Sequence, residues 1–386
     1  MAIFSTSMRI STLFAAALMT YGVQLPFFPL LLATRGLDER EIAVLVAAPM
    51  VLRVTTVSAL GAYADRVGDR RRVLVAYAGL AVVGCGLLGL AQGFWALLGA
   101  TLAMSLFANA HLPVVDAAAT SAARRGEGVY GRMRAWGSFA YVLANLAAGW
   151  AIGLFGDEIV YPLLLATFVL QFASAPLAPR DLAPQPAGAR PSMWSGLAEL
   201  LADRRLTTLL VGVSLVQASH AMLYGFGSLH WASIGFGGGE IGALWAVSVV
   251  GEVLLFAMAD RVVRRIGARG LLFAGGLGAI VRWLAFPLVG ESGVAWTMLQ
   301  LLHAGSFAAT HLGTMHVVTH AVGDGRAATA QGLTVTFSGL AMAVSTLASG
   351  ALYGRFGGSA FLAMAVVAGL GTLVLVAVLG LRRESA

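Results

Sequence analysis

The segment GAYADRVGDRR, residues 61–71, is a short charged stretch between two long apolar runs. Its Ala-Asp-Arg sequence at 64–66 returns at 259–261. Two dipeptides return in the same order along the chain, Glu41-Ile42 at 240–241 and His111-Leu112 at 311–312. Because the three matches keep their order on either side of a proline-rich central stretch, we predict that the chain duplicates one unit.

The composition places this duplicated unit in a membrane. Of the 386 residues, 59% are apolar and only 11% are charged, whereas a soluble chain carries about 25% charged residues. A helix that crosses a bilayer needs about 20 apolar residues, and twelve such spans with their connections fit this length. The sequence lacks the period-2 alternation of a β-barrel. We therefore predict an all-α polytopic membrane protein with twelve transmembrane helices in two pseudo-symmetric six-helix bundles.

The longest polar interruption lies in the middle of the chain. Five of the eleven prolines lie in it or just before it, which is typical of a linker. We predict an N-terminal six-helix bundle at 1–179, a cytoplasmic linker at 180–204 and a C-terminal six-helix bundle at 205–386. The approximate spans that the apolar runs predict in the second bundle include 205–232, 270–289 and 294–320.

The basic residues, all 25 of which are arginine, predict the orientation. If the N-terminus is cytoplasmic, 18 of them face the cytoplasm and 3 face the outside, as the positive-inside rule requires. Topology thus explains the net charge of +7, and we expect no nucleic-acid partner. The absence of lysine excludes a retinal Schiff base, and the single cysteine excludes an intrachain disulfide or a cysteine-based metal site. We predict cytoplasmic termini, no cofactor and no metal.

The charged stretch and its repeat are candidates for conformational gating. Gly61 would permit a close helix approach, and Asp65 can pair with an arginine or with a helix N-terminus on the cytoplasmic side. Breaking such contacts would accompany opening to the inside. The alternative is a cluster that only sets topology, but an aspartate among basic residues is not needed for that. The predicted gating residues are Gly61, Asp65, Arg66, Asp260 and Arg261.

Charges inside the spans are the second set of candidates, because each costs at least about 2.5–3.5 kcal/mol near the bilayer centre. They are Asp116, Glu252, Arg53, Arg134 and Arg282. Arg53 and Glu252 occupy equivalent positions of the repeat and carry opposite charges, so we expect them to lie opposite each other. Such a pair either locks the two spans together or takes part in proton coupling.

Histidine and aromatic side chains complete the candidate set. His303 lies deep in the tenth span, and an imidazole beside membrane charges can accept a proton near physiological pH. The polar and aromatic residues that we predict to bind substrate, besides the charged ones, are Tyr21, Gln24, Trp136, His220 and Tyr224. For the tryptophan, packing or interfacial anchoring is the alternative.

Several segments carry a family resemblance, among them YGVQLPF (21–27), LPVVDA (112–117), YGRMRAWGS (130–138), VRW (281–283) and LLHAGSFAATHL (301–312). They resemble the bacterial phenylpropionate permeases, which belong to the proton-coupled symporter branch of the major facilitator superfamily that includes lactose permease. The resemblance covers nearly the whole chain. It implies a twelve-helix transporter of the bacterial inner membrane that binds its substrate between the two halves and uses the proton gradient to import a small organic solute.

The resemblance also implies roles for single residues. Asp116 and Arg134 look like the acid and the arginine that hold substrate in this branch. Glu252, Arg282 and His303 look like its C-terminal acid, arginine and histidine, which serve substrate binding and proton transfer. One departure matters, because the proton-carrying acid of the branch lies one turn after the histidine, where this chain has serine at 306. Glu252, His303 or Arg53 would then serve coupling.

We therefore predict a transporter rather than an enzyme, and proton-coupled uptake of a small organic, possibly aromatic, carboxylate by alternating access. Buried arginines can pair with a carboxylate, and aromatic side chains can flank a ring. The alternatives are a sugar or nucleoside symporter and an efflux antiporter. An intramembrane metalloenzyme is disfavoured because no HExxH sequence is present. The expected partners are the solute, protons and the lipid bilayer, with the protein acting as a monomer.

Overall fold

A computed structural model describes residues 5–179, 200–322 and 326–380, apart from the side chains of residues 65, 327 and 328. Most of the chain in these ranges is helical, and they contain no β-strand. The prediction of an all-α polytopic membrane protein is confirmed. Residues 180–199 of the predicted linker lie outside the described ranges.

The first half of the chain forms six helices joined by short turns. They are α1 (Thr6–Thr34), α2 (Glu39–Val67), α3 (Arg70–Leu90), α4 (Gly93–Arg124), α5 (Tyr130–Phe155) and α6 (Val160–Ser174). Short 3₁₀ helices precede and follow α6, at Asp157–Ile159 and Ala175–Leu177. Sequence signals set the ends: α2 begins with a capping box in which Asp38 and Glu41 each accept a hydrogen bond from the other's backbone amide.

The second half contains more breaks. Its helices are α7 (Arg204–Ala218), α8 (Ala221–Ser233), α9 (Gly238–Ala257), α10 (Ala259–Ala285), α11 (Gly293–His303), α12 (Ala309–Val322), α13 (Ala327–Phe356) and α14 (Phe361–Leu379). The helices α7 and α8 follow each other along one span. A π-helical turn at Ala304–Ala308 joins α11 to α12 in the same way. Counted as continuous stretches, α7 with α8 and α11 with α12 bring this half to six spans.

Ten stretches of the described chain are long and apolar enough to cross a membrane. The last of them, Thr329–Leu379, contains α13 from its third residue onward and all of α14. The stretch from Gly293 to Val322 is not among the ten, and it carries four of the seven histidines. With that stretch included, the helices give the twelve spans that the apolar runs predict.

Contacts divide the chain into two compact units. Of the described residues, the first unit contains 5–179 and Trp231–Ala246, and the second contains 200–230, 247–322 and 326–380. In the first unit, α1 packs against α5 and α6, and α3 packs against α4. Its core is apolar and includes Phe14, Tyr77, Val115 and Met133, all almost fully buried. In the second unit, α7 packs against α13 and α14, and α10 packs against α12 and α14.

Three spans of the second half differ from the predicted pattern. The span expected at 205–232 is broken at Ser219 and His220. The span expected at 294–320 is interrupted by the π-helical turn. The span expected at 270–289 begins at Ala259, with a kink at Gly267, whose φ of 74° is open to glycine without strain. Hydropathy marks where a chain is apolar, and it does not register a local change in helical hydrogen bonding.

We expect Gly84→Ala to destabilise the first unit, because α3 and α4 touch at this glycine. A Cβ atom at Gly84 would lie 2.5 Å from the backbone nitrogen of Met104, whereas a Cβ atom at Gly86 would meet nothing within 4 Å. Overpacking of this kind costs about 1–3 kcal/mol. Thermal unfolding of the purified protein should therefore show a lower midpoint for Gly84→Ala and no such loss for the matched control Gly86→Ala. Equal midpoints for the two variants would contradict this packing.

Candidate functional site

Four polar side chains form a connected charge network inside the second unit: Glu252, Arg282, Gln300 and His303. Arg282 Nη1 donates to His303 Nδ1 at 2.7 Å, and its Nη2 donates to Gln300 Oε1. The opposite nitrogen of the same imidazole, His303 Nε2, lies 2.9 Å from Glu252 Oε1. The imidazole therefore stands between the arginine and the acid.

The members of this network come from three neighbouring helices, whose packing holds the side chains next to one another. Arg282 lies in α10, Glu252 in α9, and Gln300 and His303 one turn apart in α11. Arg282 and Gln300 are fully buried, His303 is nearly so, and the Glu252 side chain is 20% exposed. The acid is therefore the member of the network that meets the exterior of its unit.

The close approach of α10 to the π-helical turn depends on glycine. A Cβ atom at Gly278 would lie 3.0 Å from the carbonyl oxygen of Gly305, and a Cβ atom at Gly275 would lie 2.9 Å from the backbone nitrogen of Thr310. Larger residues would hold the two backbones apart. The approach lets Arg282 reach an imidazole on the neighbouring helix.

The hydrogen-bond donors determine the protonation of His303. An arginine has only donors, so the His303 Nδ1 atom that receives Arg282 must be an unprotonated acceptor. The ring proton of a neutral imidazole then lies on Nε2, which donates to the Glu252 carboxylate. Adding a second proton to His303 would place an N–H against the guanidinium. A proton on Glu252 would leave the Arg282–His303 hydrogen bond in place.

Aromatic rings surround this network. The guanidinium carbon of Arg282 lies 4.7 Å from the Trp283 ring centroid, a cation–π contact. The His303 ring stacks on Phe307 with centroids 5.2 Å apart, and Tyr224 lies edge-on to both rings at 6.3 Å. The network thus lies in an apolar, low-dielectric setting in which charged contacts are strengthened.

The break between α7 and α8 meets the π-helical turn through His220. Its Nδ1 atom lies 3.3 Å and 3.2 Å from the carbonyl oxygens of Val216 and Gln217, so Nδ1 carries the ring proton and donates to them. Its Nε2 atom then accepts from the Ser306 hydroxyl at 3.0 Å. The residue that stands where the resemblance places a proton carrier is thus a fully buried hydrogen-bond partner of His220.

Glu252 has a second histidine nearby. His311, an exposed residue of α12, lies close enough to interact electrostatically with the carboxylate, and its ring packs edge-on against Phe256 at 6.1 Å. Arg282 also acts on Glu252 electrostatically from beyond the intervening imidazole. Among the described residues of the second unit, the titratable and charged groups that act on Glu252 are His303, His311 and Arg282.

The first unit contains a separate polar group. The Tyr130 hydroxyl donates to Asp116 Oδ1 at 3.0 Å, joining the start of α5 to α4. Arg134, one turn after Tyr130, lies close enough to both residues to interact electrostatically with them. Its guanidinium carbon is 5.4 Å from the Phe14 ring centroid. Within the described chain, no carboxylate lies within salt-bridge distance of this arginine, which is half-buried.

The other predicted site residues lie on the same unit. Tyr21 and Gln24 are half-buried in α1, one turn apart, and Arg53 of α2 is close enough to Tyr21 to interact electrostatically. Trp136 is 57% exposed and contacts Phe139 edge-on at 6.1 Å. Arg53 and Glu252 belong to different units, so their pairing stays a prediction, as do the substrate-binding roles.

The first part of the predicted gating motif, residues 61–66, lies at the end of α2. In this structure a Cβ atom at Gly61 would meet no heavy atom of another described segment within 4 Å. Arg66, Asp260 and Arg261 are exposed, and the Asp65 side chain lies outside the described part. Nearby, Asp69 caps α3 by accepting from the Arg72 amide at 3.1 Å. A gating role for the motif stays a prediction.

Sequence reasoning missed two members of the second-unit site. Gln300 precedes His303 by one helical turn in an otherwise apolar run. This polar residue on the same helical face could have been recognised from the sequence, but attention to the histidine alone missed it. Phe307 follows His303 by four residues and so lies on the same helical face. The His220–Ser306 contact joins residues 86 positions apart and has no local sequence signal.

Comparison with known proteins gives a consistent result. Residues 8–363 match the profile of the MFS_1 like family. The chain is 30% identical over 362 residues to a probable 3-phenylpropionic acid transporter of Escherichia coli (strain K12), covering 90% of this chain and 92% of the relative. It is 28% identical over 187 residues to a maltose permease of Geobacillus stearothermophilus, covering 48% of this chain and 46% of that protein.

Solved structures share the fold at low sequence identity. The nucleoside transporter NupG matches with a TM-score of 0.85 and 14% identity, covering 99% of this chain and all of the other. A bacterial homologue of the human lysosomal transporter Spinster, inward-facing and occupied, matches with a TM-score of 0.73 and 16% identity, covering 98% of each chain. The predicted major facilitator fold is thereby confirmed.

We expect Gln300→Leu to destabilise the second unit, because it removes the acceptor of Arg282 Nη2. The Nε atom of this buried guanidinium already lacks a hydrogen-bond partner among the described residues. Leaving a second donor unpaired costs about 1–3 kcal/mol, and more for a charged group. The thermal unfolding midpoint should fall for Gln300→Leu and fall less for Gln300→Glu, which keeps an acceptor at the same position. A larger loss for the glutamate variant would contradict the assigned contact.

Proposed function

The chain belongs to the MFS_1 like family of membrane transporters, and from this premise we propose that it imports a small aromatic carboxylate in symport with protons by alternating access. The relative that matches nearly the whole chain is named for 3-phenylpropionic acid, an arylalkyl carboxylate. A carboxylate calls for a cation that is free to receive it, and a phenyl ring calls for aromatic or apolar surroundings.

We assign the carboxylate to Arg134 of the first unit. This arginine is half-buried, so a solute can approach it, and it is not held by a carboxylate of the described chain. Phe14 and Tyr130 lie beside it, with their rings edge-on at 6.3 Å, and supply an aromatic surface. Asp116, engaged by the Tyr130 hydroxyl, positions that ring. Arg282 is fully buried and already donates to two neutral acceptors, so it is less suited to be the first contact.

The observation that carries the coupling proposal is the Glu252–His303–Arg282 connection. The guanidinium occupies the His303 nitrogen that would otherwise accept a proton, so the carboxylate of Glu252 is the group that can take one without breaking a contact. We therefore propose that Glu252 carries the proton. His303 is its partner ring, and the hydrogen bond from Arg282 holds that ring in its orientation. Ser306 cannot replace an acid in this role, since a hydroxyl does not ionise near neutral pH.

The remaining assignments follow the positive-inside rule and the family. We place the protein in the bacterial cytoplasmic membrane with both termini in the cytoplasm, since this orientation puts 18 of 25 arginines inside. The residues Asp65, Arg66, Asp260 and Arg261 then lie at cytoplasmic helix ends, where their contacts would change as the transporter opens. We propose that the monomer is the working form.

Sugar uptake is the second candidate, because about half of the chain matches a maltose permease. In that case, Asp116 and Arg134 would form hydrogen bonds with hydroxyl groups. The two candidates differ in what competes for uptake: an aromatic carboxylate in the first, and a neutral sugar in the second.

We expect proteoliposomes that contain the protein to take up radiolabelled 3-phenylpropionate when the outside is more acidic, with excess maltose or uridine giving no competition. Arg134→Gln should raise KM roughly 10- to 100-fold, the cost of one lost charge-assisted contact. The matched control is Arg132→Gln, an exposed arginine two residues earlier. Competition by maltose instead of carboxylates would favour the sugar candidate, and equal KM values for the two variants would overturn the assignment of Arg134.

The proton assignment has its own test in the same vesicles. We expect Glu252→Gln to abolish accumulation driven by the pH gradient while leaving exchange of solute across the membrane largely intact, because the variant has no ionisable group at this position. His303→Gln should slow uptake but keep its dependence on the pH gradient. The exposed loop variant Glu291→Gln serves as the control. Accumulation by Glu252→Gln at the wild-type level would show that another group carries the proton.

A further inference from the structure

A cleft of about 1010 Å³ opens at one end of the second unit, far from the charge network. Its walls come from four places in the chain: the start of α7, the kink of α10, the end of α12 and the end of α14. Arg269, at the kink, precedes Arg282 by thirteen residues of the same helix, which at 1.5 Å per residue is about 20 Å. The cleft is therefore separate from the site proposed for proton coupling.

Arginine and histidine side chains make up most of the polar part of this cleft, which we call the basic cleft. Arg205 and Arg269 line it, together with His316 and His320, whose rings stack with centroids 6.3 Å apart. Asp203 is the single acid in the lining. Neither arginine forms a salt bridge with any carboxylate in the described part of the chain.

The one acid of the cleft is already engaged. Asp203 Oδ1 accepts from the backbone amides of Arg205 and Leu206 at 2.9 Å and 3.1 Å, which caps the N-terminus of α7. Its negative charge therefore interacts favourably with the positive end of the helix dipole and with the amides of the first turn. The guanidinium groups remain available for an external anion.

The rest of the lining is apolar. Leu209, Ile266, Val317 and Val378 are among the residues that form it, one from each wall. A surface that joins two arginines to aliphatic walls matches a molecule with an anionic head and a hydrocarbon part. Arginine favours phosphate oxygens because its planar fork donates two parallel hydrogen bonds.

The position in the membrane agrees with such a ligand. The same end of the unit carries Arg204, Arg261, Arg264 and Arg265 outside the cleft, so the positive-inside rule assigns it to the cytoplasm. The cytoplasmic leaflet is the one in which anionic lipids attract basic groups at helix ends. We propose that the basic cleft binds a phosphate ester through Arg205 and Arg269, with the phosphate of an anionic phospholipid as the source that also fits the apolar walls.

The test compares two sources of phosphate on the full-length purified protein in neutral detergent. Short-chain phosphatidylglycerol, short-chain phosphatidylcholine and glycerol phosphate are titrated separately, and the rise in the unfolding midpoint gives an apparent affinity by mass action. We expect phosphatidylglycerol to bind at least tenfold more tightly than phosphatidylcholine, whose headgroup is neutral overall. Binding of glycerol phosphate with the same affinity as phosphatidylglycerol would keep the phosphate site and make a soluble phosphate ester its source.

Paired substitutions localise the effect. The double variant Arg205→Gln/Arg269→Gln should weaken phosphatidylglycerol binding roughly 10- to 100-fold, as expected for lost charge-assisted hydrogen bonds. The matched double variant Arg264→Gln/Arg265→Gln removes the same charge from the same end of the unit but outside the cleft, and should bind as the wild type does. Equal weakening in both double variants would overturn the proposal, because binding would then follow general surface charge.

A measurement on the wild-type protein covers the case in which a variant does not fold. Raising the salt concentration should weaken phosphatidylglycerol binding and leave phosphatidylcholine binding unchanged, since the former depends on exposed ionic contacts. No preference for phosphatidylglycerol, combined with no binding of glycerol phosphate, would also overturn the proposal.

Discussion

The constraint behind the second unit is the burial of a permanent cation. The guanidinium of Arg282 has no accessible surface and cannot release its proton, so its charge must be compensated inside the unit. His303 and Gln300 accept its hydrogen bonds, and Glu252 supplies the opposite charge from beyond the imidazole. The glycines of α10 and the π-helical turn serve this arrangement, because they bring the arginine and the imidazole within reach of each other.

The sequence was sufficient to predict the fold class and the charged members of this network. Apolar runs and charged breaks predict spans because the bilayer imposes a length and excludes charge. The same exclusion made Glu252 and Arg282 conspicuous, since an ion in an apolar run requires a partner. The fact that Glu252 pairs with His303, and not with the arginine directly, required coordinates: the order of three groups along a hydrogen-bonded chain depends on helix rotation and separation.

Sequence patterns could not predict the two helix breaks in the second half. A π-helical turn changes the hydrogen bonding of one turn without changing the hydropathy of the stretch. The α7–α8 break at Ser219 and His220 is held by tertiary contacts, with the Trp283 indole donating to Ser219 Oγ at 3.0 Å and Ser306 donating to His220.

The neutral imidazole between Arg282 and Glu252 has an electrical consequence. With Glu252 ionised, the charges of the arginine and the acid cancel, whereas a proton on Glu252 leaves this network with one positive charge. A monoanionic solute bound to the same molecule restores the balance, so a cycle that carries one proton and one carboxylate moves no net charge. A neutral solute would leave the charge in place and subject it to the membrane potential, at about 2.3 kcal/mol per 100 mV. If Glu252 carries the proton as proposed, the charge of the cargo decides whether transport responds to voltage.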